Sequence, residues 1–366
     1  MQNLKDSASL LPNEIRLLDK SGFNKVIDGH PVDLFRLTNK YGMVTEITNY
    51  GGRVVTLWVP DKAGKFTDIV LGYETLDGYL NSNEAYFGAL IGRYGNRIAN
   101  GRFSLNDQEY FLAANNAANH LHGGVKGFNV IVWKANQIDS STLELNYKSV
   151  DGEEGYPGNL DIKVIYTLSD ENELKVEYWA TTDKSTPVNL THHSFFNLHG
   201  DGRGSIADHK LQINANTYTP VDDGLIPTGE FASVQGTPMD FRLAKAIGKD
   251  IDKNSKQLVY GNGYDLNWII NQNSEGLNFA AKVVEPRSSR VMEVYTNEPG
   301  IQFYTGNFLN GSDIGKNNRP YRSREAFCLE TQHYPDSPNH SNFPNTILKP
   351  GEKYYSICIY RFAIAE

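Results

Sequence analysis

The chain has 366 residues and a formal net charge of −8, with 35 lysines and arginines against 43 aspartates and glutamates. That balance offers no basic stripe to neutralise phosphates or anionic lipid, so nucleic acid and membrane surface are excluded as expected partners. The aromatic and glycine content, Tyr 21, Phe 17 and Gly 33 against Met 4, is that of strands and turns, and an all-β fold is expected. Two cysteines, Cys328 and Cys358, sit among apolar strand residues without the spacing of a disulfide framework, a metal motif or a redox motif. Both are expected reduced and buried. No apolar run in the first thirty residues matches a signal-peptide core, and none later reaches the length of a membrane span, so the expected location is cytoplasmic. Asn-x-Ser/Thr triplets at Asn189, Asn310 and Asn339 arise often by chance and carry no weight.

Residues 1–28 are polar with a few leucines and form a lead-in strand or loosely held arm, separate from one catalytic domain over 29–366. Leu34–Leu37, Met43–Ile47 and Val54–Val59 read as consecutive strands, with Asn49-Tyr50-Gly51-Gly52 as a turn, and Asp68–Gly72 resumes the sheet. Gly92–Phe103 is a polar loop with three arginines. It is either a surface turn or, through the amide of Asn96 and the donor fork of Arg97, a place to hold vicinal oxygens. His120 and His122 stand two apart and would share a face of an extended strand. Period-2 alternation is cleanest from Ser141 to Thr182, where Leu143, Leu145 and Tyr147, then Leu160 to Leu168, then Leu174 to Ala180 predict an antiparallel meander with one buried face.

The richest chemistry lies in Val188 to Gly200, where His192 and His193 stand between apolar runs. An imidazole titrates near neutrality and can give and take a proton in one turnover. The turn Gly200–Ser205 lacks the spacing of a nucleotide loop and is read as flexible. The best helix candidate, Asp240 to Lys249, is a turn or two long. Asp265 opens a strand, and Gly300–Phe308 puts Gln302 and Tyr304 on one face with Ile301 and Phe303 on the other. In Ala326–Pro335, alternation sets Cys328 and Glu330 opposite Phe327 and Leu329. A carboxylate on a face shielded from water must be paired or functional. Tyr354 to Ile364 is the closing strand.

Four readings compete for these residues. A metal centre would draw on His120, His122 and Glu330 or Asp265, but His-x-His is a loose motif. A glycoside hydrolase would use Glu330 and Asp265 and leave the histidines without a task. A carbohydrate-binding module without chemistry would use the aromatics, amides and arginine. Proton transfer on a sugar hemiacetal, with Glu330 as base and His193 as acid, uses the whole set.

Asn49–Arg53, Gly92–Ala99, Leu121–Gly124, Val188–Leu198, Gly263–Asp265, Pro299–Gln302, Tyr304–Phe308 and Leu329–Asp336 occur together in this order. From about Val32 to Phe362 the chain thereby resembles the galactose mutarotase (aldose 1-epimerase) family. The resemblance implies a large antiparallel β-sandwich with a sugar cleft on its concave face and few short helices. It further implies Glu330 as base, His193 as acid and His122 as a second imidazole at the ring oxygen, with Asn96, Arg97, Asp265 and Gln302 holding hydroxyls. His192 departs from the pattern, since many relatives carry asparagine there. Adjacent strand residues face opposite ways, so only one of the pair can serve, and His193 is the choice. No cofactor or metal is expected. The expected partner is a monosaccharide substrate such as galactose or glucose, and the expected state of the protein is a monomer or weak homodimer.

Overall fold

The computed structural model describes residues 15–273 and 276–365; residues 1–14 of the expected lead-in segment lie outside them. Three antiparallel sheets carry the architecture. The largest has nine strands, in the order Lys134–Gln137, Thr142–Ser149, Leu160–Leu168, Glu173–Thr182, Tyr354–Ile364, Arg290–Thr296, Asn278–Val284, Lys210–Ile213 and Lys245–Ala246. A five-stranded sheet runs Ala232–Ser233, Ala215–Thr219, Asp265–Ile270, Gly300–Tyr304, Cys328–Gln332, and a four-stranded one Leu34–Thr38, Val44–Thr48, Arg53–Pro60, Phe66–Asp68.

The alternation read from Leu160 to Leu168 is reproduced residue by residue: Leu160, Ile162, Val164, Tyr166 and Leu168 are buried. They face one apolar cluster that also takes Leu37, Ile47 and Leu57 from the four-stranded sheet and Trp268, Phe303 and Leu329 from the five-stranded sheet. The sheets therefore close as a β-sandwich over a shared core, because each presents an apolar face that is stable only against another. Tyr360 ties two layers together by donating its hydroxyl to Leu329 O at 3.0 Å.

Several local expectations are corrected. Asp240 to Lys249 is not an α-helix: Lys245–Ala246 pairs with Lys210–Leu211, which takes up the backbone groups a helix would need, and only a 3₁₀ turn follows at Ile247–Lys249. The α-helices among the described residues are Leu76–Leu80 and Lys256–Gly261. The strand expected over Asp68–Gly72 ends at Asp68, whose carboxylate accepts from Leu57 N–H at 2.9 Å in place of a continuing ladder. Within the lead-in segment, Lys25–Ile27 pairs with His30–Val32 and Phe23 is fully buried. Gly200–Ser205 is a turn, anchored by the buried Asp201, which accepts from the Tyr321 hydroxyl at 2.6 Å. No described helix is long and apolar enough to cross a membrane. Cys328 and Cys358 are free and buried.

Candidate active site

Three strands of the five-stranded sheet, Asp265–Ile270, Gly300–Tyr304 and Cys328–Gln332, are buried on both faces. Ile301, Phe303 and Leu329 enter the core, and the alternate residues of the same strands face a cavity of about 370 Å³ lined by Asp265, Tyr304 and Glu330. Register does the positioning: Gln302 lies directly opposite Glu330, and Tyr304 stands between Asp265 and Cys328. Gln302 borders this group and donates from Nε2 to Asp265 Oδ1 at 2.6 Å.

Strand Thr191–His193 pairs with Ala89–Ile91, and its alternation parts the two histidines. His192 turns into the core, with Nε2 2.6 Å from Ser194 Oγ and Nδ1 3.2 Å from the Tyr166 hydroxyl. His193 faces the cavity, where its Nε2 lies 3.4 Å from Glu330 Oε1 and its Nδ1 3.5 Å from Cys328 Sγ. A larger groove of about 750 Å³ lies elsewhere, over Trp133, Lys163 and Trp179. Its His30, Asp33 and Asp161 are exposed, and no such buried acid and base meet there.

Gly92–Phe103 is not a surface turn. Arg93, Asn96 and Arg97 are buried, and Asn96 and Arg97 line the cavity. Strand Arg97–Ile98 pairs with His120–Leu121, then the chain turns left-handed at His122, φ 52°. This overturns the expectation that His120 and His122 share a face. His120 points away, 2.7 Å from the Tyr156 hydroxyl, while His122 enters the cavity. Gly123 makes the turn possible: its φ is 87°, and a Cβ there would overlap the Gly92 carbonyl. Asn96 N–H donates to His122 Nδ1 at 3.1 Å, and His122 N–H returns a bond to Asn96 O at 3.0 Å.

That bond fixes the tautomer. With Nδ1 accepting, a neutral His122 carries its proton on Nε2 and offers a donor to the cavity. Burial holds His122 well below the usual imidazole range, helped by His193 and Arg97. Ligand atoms of His122, His193 and Glu330 lie within 4.8 Å of one another, yet His122 Nε2 could bind a metal only by losing its last proton. The donor set does not suit a metal, and the grouping of His120 with His122 is removed by geometry.

Burial dominates the electrostatics of the central pair. Glu330 is pushed well above the carboxylic range by desolvation and by Asp265, against which Arg97 works only partly. His193 is pulled down to about 3, chiefly by burial. Arg97 favours the Glu330 carboxylate but is outweighed by burial and Asp265. Its guanidinium is directed elsewhere, with Nε donating to Asn116 Oδ1 at 3.1 Å and Nη2 3.9 Å from Asp265 Oδ2. Burial also raises the Cys328 thiol, so it remains S–H beside His193 Nδ1. Among the described residues, Glu330 Oε2 and Gln302 Oε1 are buried without a hydrogen-bond partner. Native structures leave few such atoms unpaired, and Glu330 lines the cavity, where a hydroxyl-bearing ligand would supply its carboxylate with donors.

Several cavity groups escaped the sequence reading, among them Tyr86, Glu84, Asn116 and Asp223. Tyr86 packs its ring against His122 at 4.6 Å and His193 at 5.7 Å, and Glu84 stands nearby in the wall. Tyr86 and Glu84 lie on an irregular segment whose only signal is nearness to Ala89–Ile91, the partner of the histidine strand, and that pairing is invisible in sequence.

The family model for aldose 1-epimerase matches residues 33–361. The chain belongs to the aldose 1-epimerase family. Among relatives of this family, galactose mutarotase of Bos taurus is 47% identical over 320 residues, covering 87% of this chain and 91% of its own. Aldose 1-epimerase of Escherichia coli (strain K12) is 39% identical over 342 residues, covering 93% and 97%. The crystal structure of an aldose epimerase homologue from C. elegans superposes with a TM-score of 0.85 at 29% identity, over 92% of this chain and all of that one. The expected β-sandwich of this family is the fold observed.

Proposed function

We propose that the chain interconverts the α and β anomers of a galactose- or glucose-type aldose by opening and reclosing the ring, with Glu330 as base and His193 as acid. One observation carries the residue roles: a buried carboxyl and a buried imidazole lie 3.4 Å apart at a cavity beside unpaired acceptors. The activity follows from the family, whose members of 39–47% identity are a galactose mutarotase and an aldose 1-epimerase.

In the proposed cycle Glu330 takes the proton of the C1 hydroxyl while His193 gives one to the ring oxygen. The C1–O bond breaks and a C1 carbonyl forms. Rotation about C1–C2 presents the other carbonyl face, and the reversed transfers close the opposite anomer. His122 Nε2–H donates to one of the oxygens, and Arg97, Asn96, Asp265 and Gln302 hold the remaining hydroxyls. Nothing is oxidised and no group leaves, so the chemistry calls for no cofactor.

The protonation states need one further step. A neutral Glu330 with a neutral His193 holds the same number of protons as a carboxylate with an imidazolium. Burial favours the first form, and catalysis in this direction needs the second. Moving the proton from Glu330 to His193 converts one into the other without exchange with solvent. Sugar hydroxyls donating to Glu330 Oε2 favour the ionised form and so drive that shift. All these groups come from one chain, so a single catalytic domain over 29–366 suffices, active as a monomer or weak homodimer in the cytoplasm.

The test is polarimetry on freshly dissolved α-D-galactose and α-D-glucose, with and without chelator. Acceleration that survives chelator is expected, and Glu330→Gln and His193→Asn should each lower it by about 10²–10⁴-fold with the fold retained by circular dichroism. Near-parental turnover in either variant removes that residue from its role.

A further inference from the structure

The cavity carries more carboxyl groups than anomer exchange requires. Besides Glu330 and Asp265, two further carboxyl groups line it, Glu84 and Asp223, and among its described lining residues Arg97 is the one fixed cation. That guanidinium is already engaged by Asn116 and faces Asp265. His122 and His193 are both held in the neutral form by burial and do not offset the excess.

Glu84 is built in. Asp313 fixes its segment by accepting from Asn83 N–H at 2.9 Å and from Glu84 N–H at 3.2 Å. Glu84 Oε1 accepts from Tyr86 N–H at 3.0 Å, and the Tyr86 ring rests on both cavity imidazoles. Among the described residues no hydrogen bond holds Oε2. The Glu84 charge is felt at Glu330 and at Tyr304 across the cavity. None of the proton transfers above uses it.

We propose that Glu84, with Asp223 at the rim, sets the charge of the substrate: the cavity accepts neutral and ammonium-bearing aldoses and rejects those bearing a carboxylate or phosphate. This deepens the mutarotase reading and rests on it. Charges act over long range between low-dielectric walls, and repulsion of a wrong partner is an economical source of specificity. An anionic sugar would meet up to four carboxyl groups with no free cation to receive it.

The test compares galactose, 6-amino-6-deoxygalactose and galacturonate, which share C1 and the ring oxygen and differ at C6. Burial, reinforced by Asp313 and opposed by the Tyr86 N–H and by Arg53, pushes Glu84 up to about 7, so assays at pH 8 read it ionised. The kcat/KM ratio of amino sugar to uronate is measured by polarimetry for the parent, Glu84→Gln and Asp223→Asn, the last a change on an exposed residue that keeps the test open if Glu84→Gln does not fold. The ratio is expected to favour the amino sugar in the parent and to fall about tenfold in Glu84→Gln, and less in Asp223→Asn, with the uronate gaining. A parent that turns over galactose but shows no charge preference overturns the proposal, as does a ratio unchanged in both variants. A parent that leaves galactose unaccelerated overturns the mutarotase reading instead.

Discussion

Asp265→Asn separates binding from proton transfer at this site. In the parent, Asp265 Oδ1 accepts from Gln302 Nε2 at 2.6 Å, and Oδ2 lies 3.9 Å from Arg97 Nη2 beside the cavity. Asparagine keeps the shape, and its carbonyl can still receive the Gln302 amide. Its amide nitrogen then takes the place of Oδ2, where it meets the Arg97 guanidinium donor to donor and cannot accept a sugar hydroxyl. A hydrogen bond to a charged acceptor contributes about 1.5–3 kcal/mol, so KM should rise about 10- to 150-fold. A second effect follows from charge. Asp265 is the main neighbouring group holding Glu330 well above the carboxylic range. Removing that charge lowers the Glu330 value, so Glu330 loses its proton at lower pH and the alkaline limb of kcat moves acidward. Polarimetric progress curves over galactose concentration and pH read both. An unchanged KM with an unmoved alkaline limb would refute the placing of Asp265 as hydroxyl acceptor and electrostatic neighbour of the base.

The pH profile of the parent tests the shared proton. With His193 pulled down to about 3 and Glu330 pushed well up, the pair holds one proton between those limits. It carries two below the lower limit, leaving no base, and none above the upper, leaving no acid. The kcat for neutral galactose should therefore stay level between those limits, and an acid limb near the ordinary imidazole value would contradict this. His192→Asn removes the contacts to Ser194 and Tyr166 and should cost about 1–3 kcal/mol of stability, measured by denaturant unfolding, with kcat kept. A hundredfold fall in kcat would return the acid role to His192.

The residues that could be read from sequence are those whose role follows from strand alternation. Leu160 to Leu168 declare a one-sided strand because every second residue must leave water. The same rule sets Glu330 and Cys328 on the face opposite Phe327 and Leu329, and His193 opposite His192. Alternation fails where strands are short. His120–Leu121 is two residues long, and the left-handed turn at His122 sends its imidazole where no period-2 rule would put it. Lys245–Ala246 likewise owes its form to a pairing with Lys210–Leu211, far off in the chain.

Charge state is the least legible property, because it depends on depth and direction together. Arg97 is a plausible stabiliser of any nearby carboxylate when read from sequence. In the fold its fork is turned to Asn116 and Asp265, and Glu330 at 1% exposure follows its desolvation. Desolvation moves the two partners in opposite directions, up for the Glu330 carboxyl and down for the His193 imidazole, so it leaves the total proton count of the pair unchanged while reversing where the proton rests. A site of this kind is set for catalysis by a ligand that restores hydrogen bonds to the carboxylate, which is what the hydroxyls of a bound aldose can do and what a purely apolar ligand cannot.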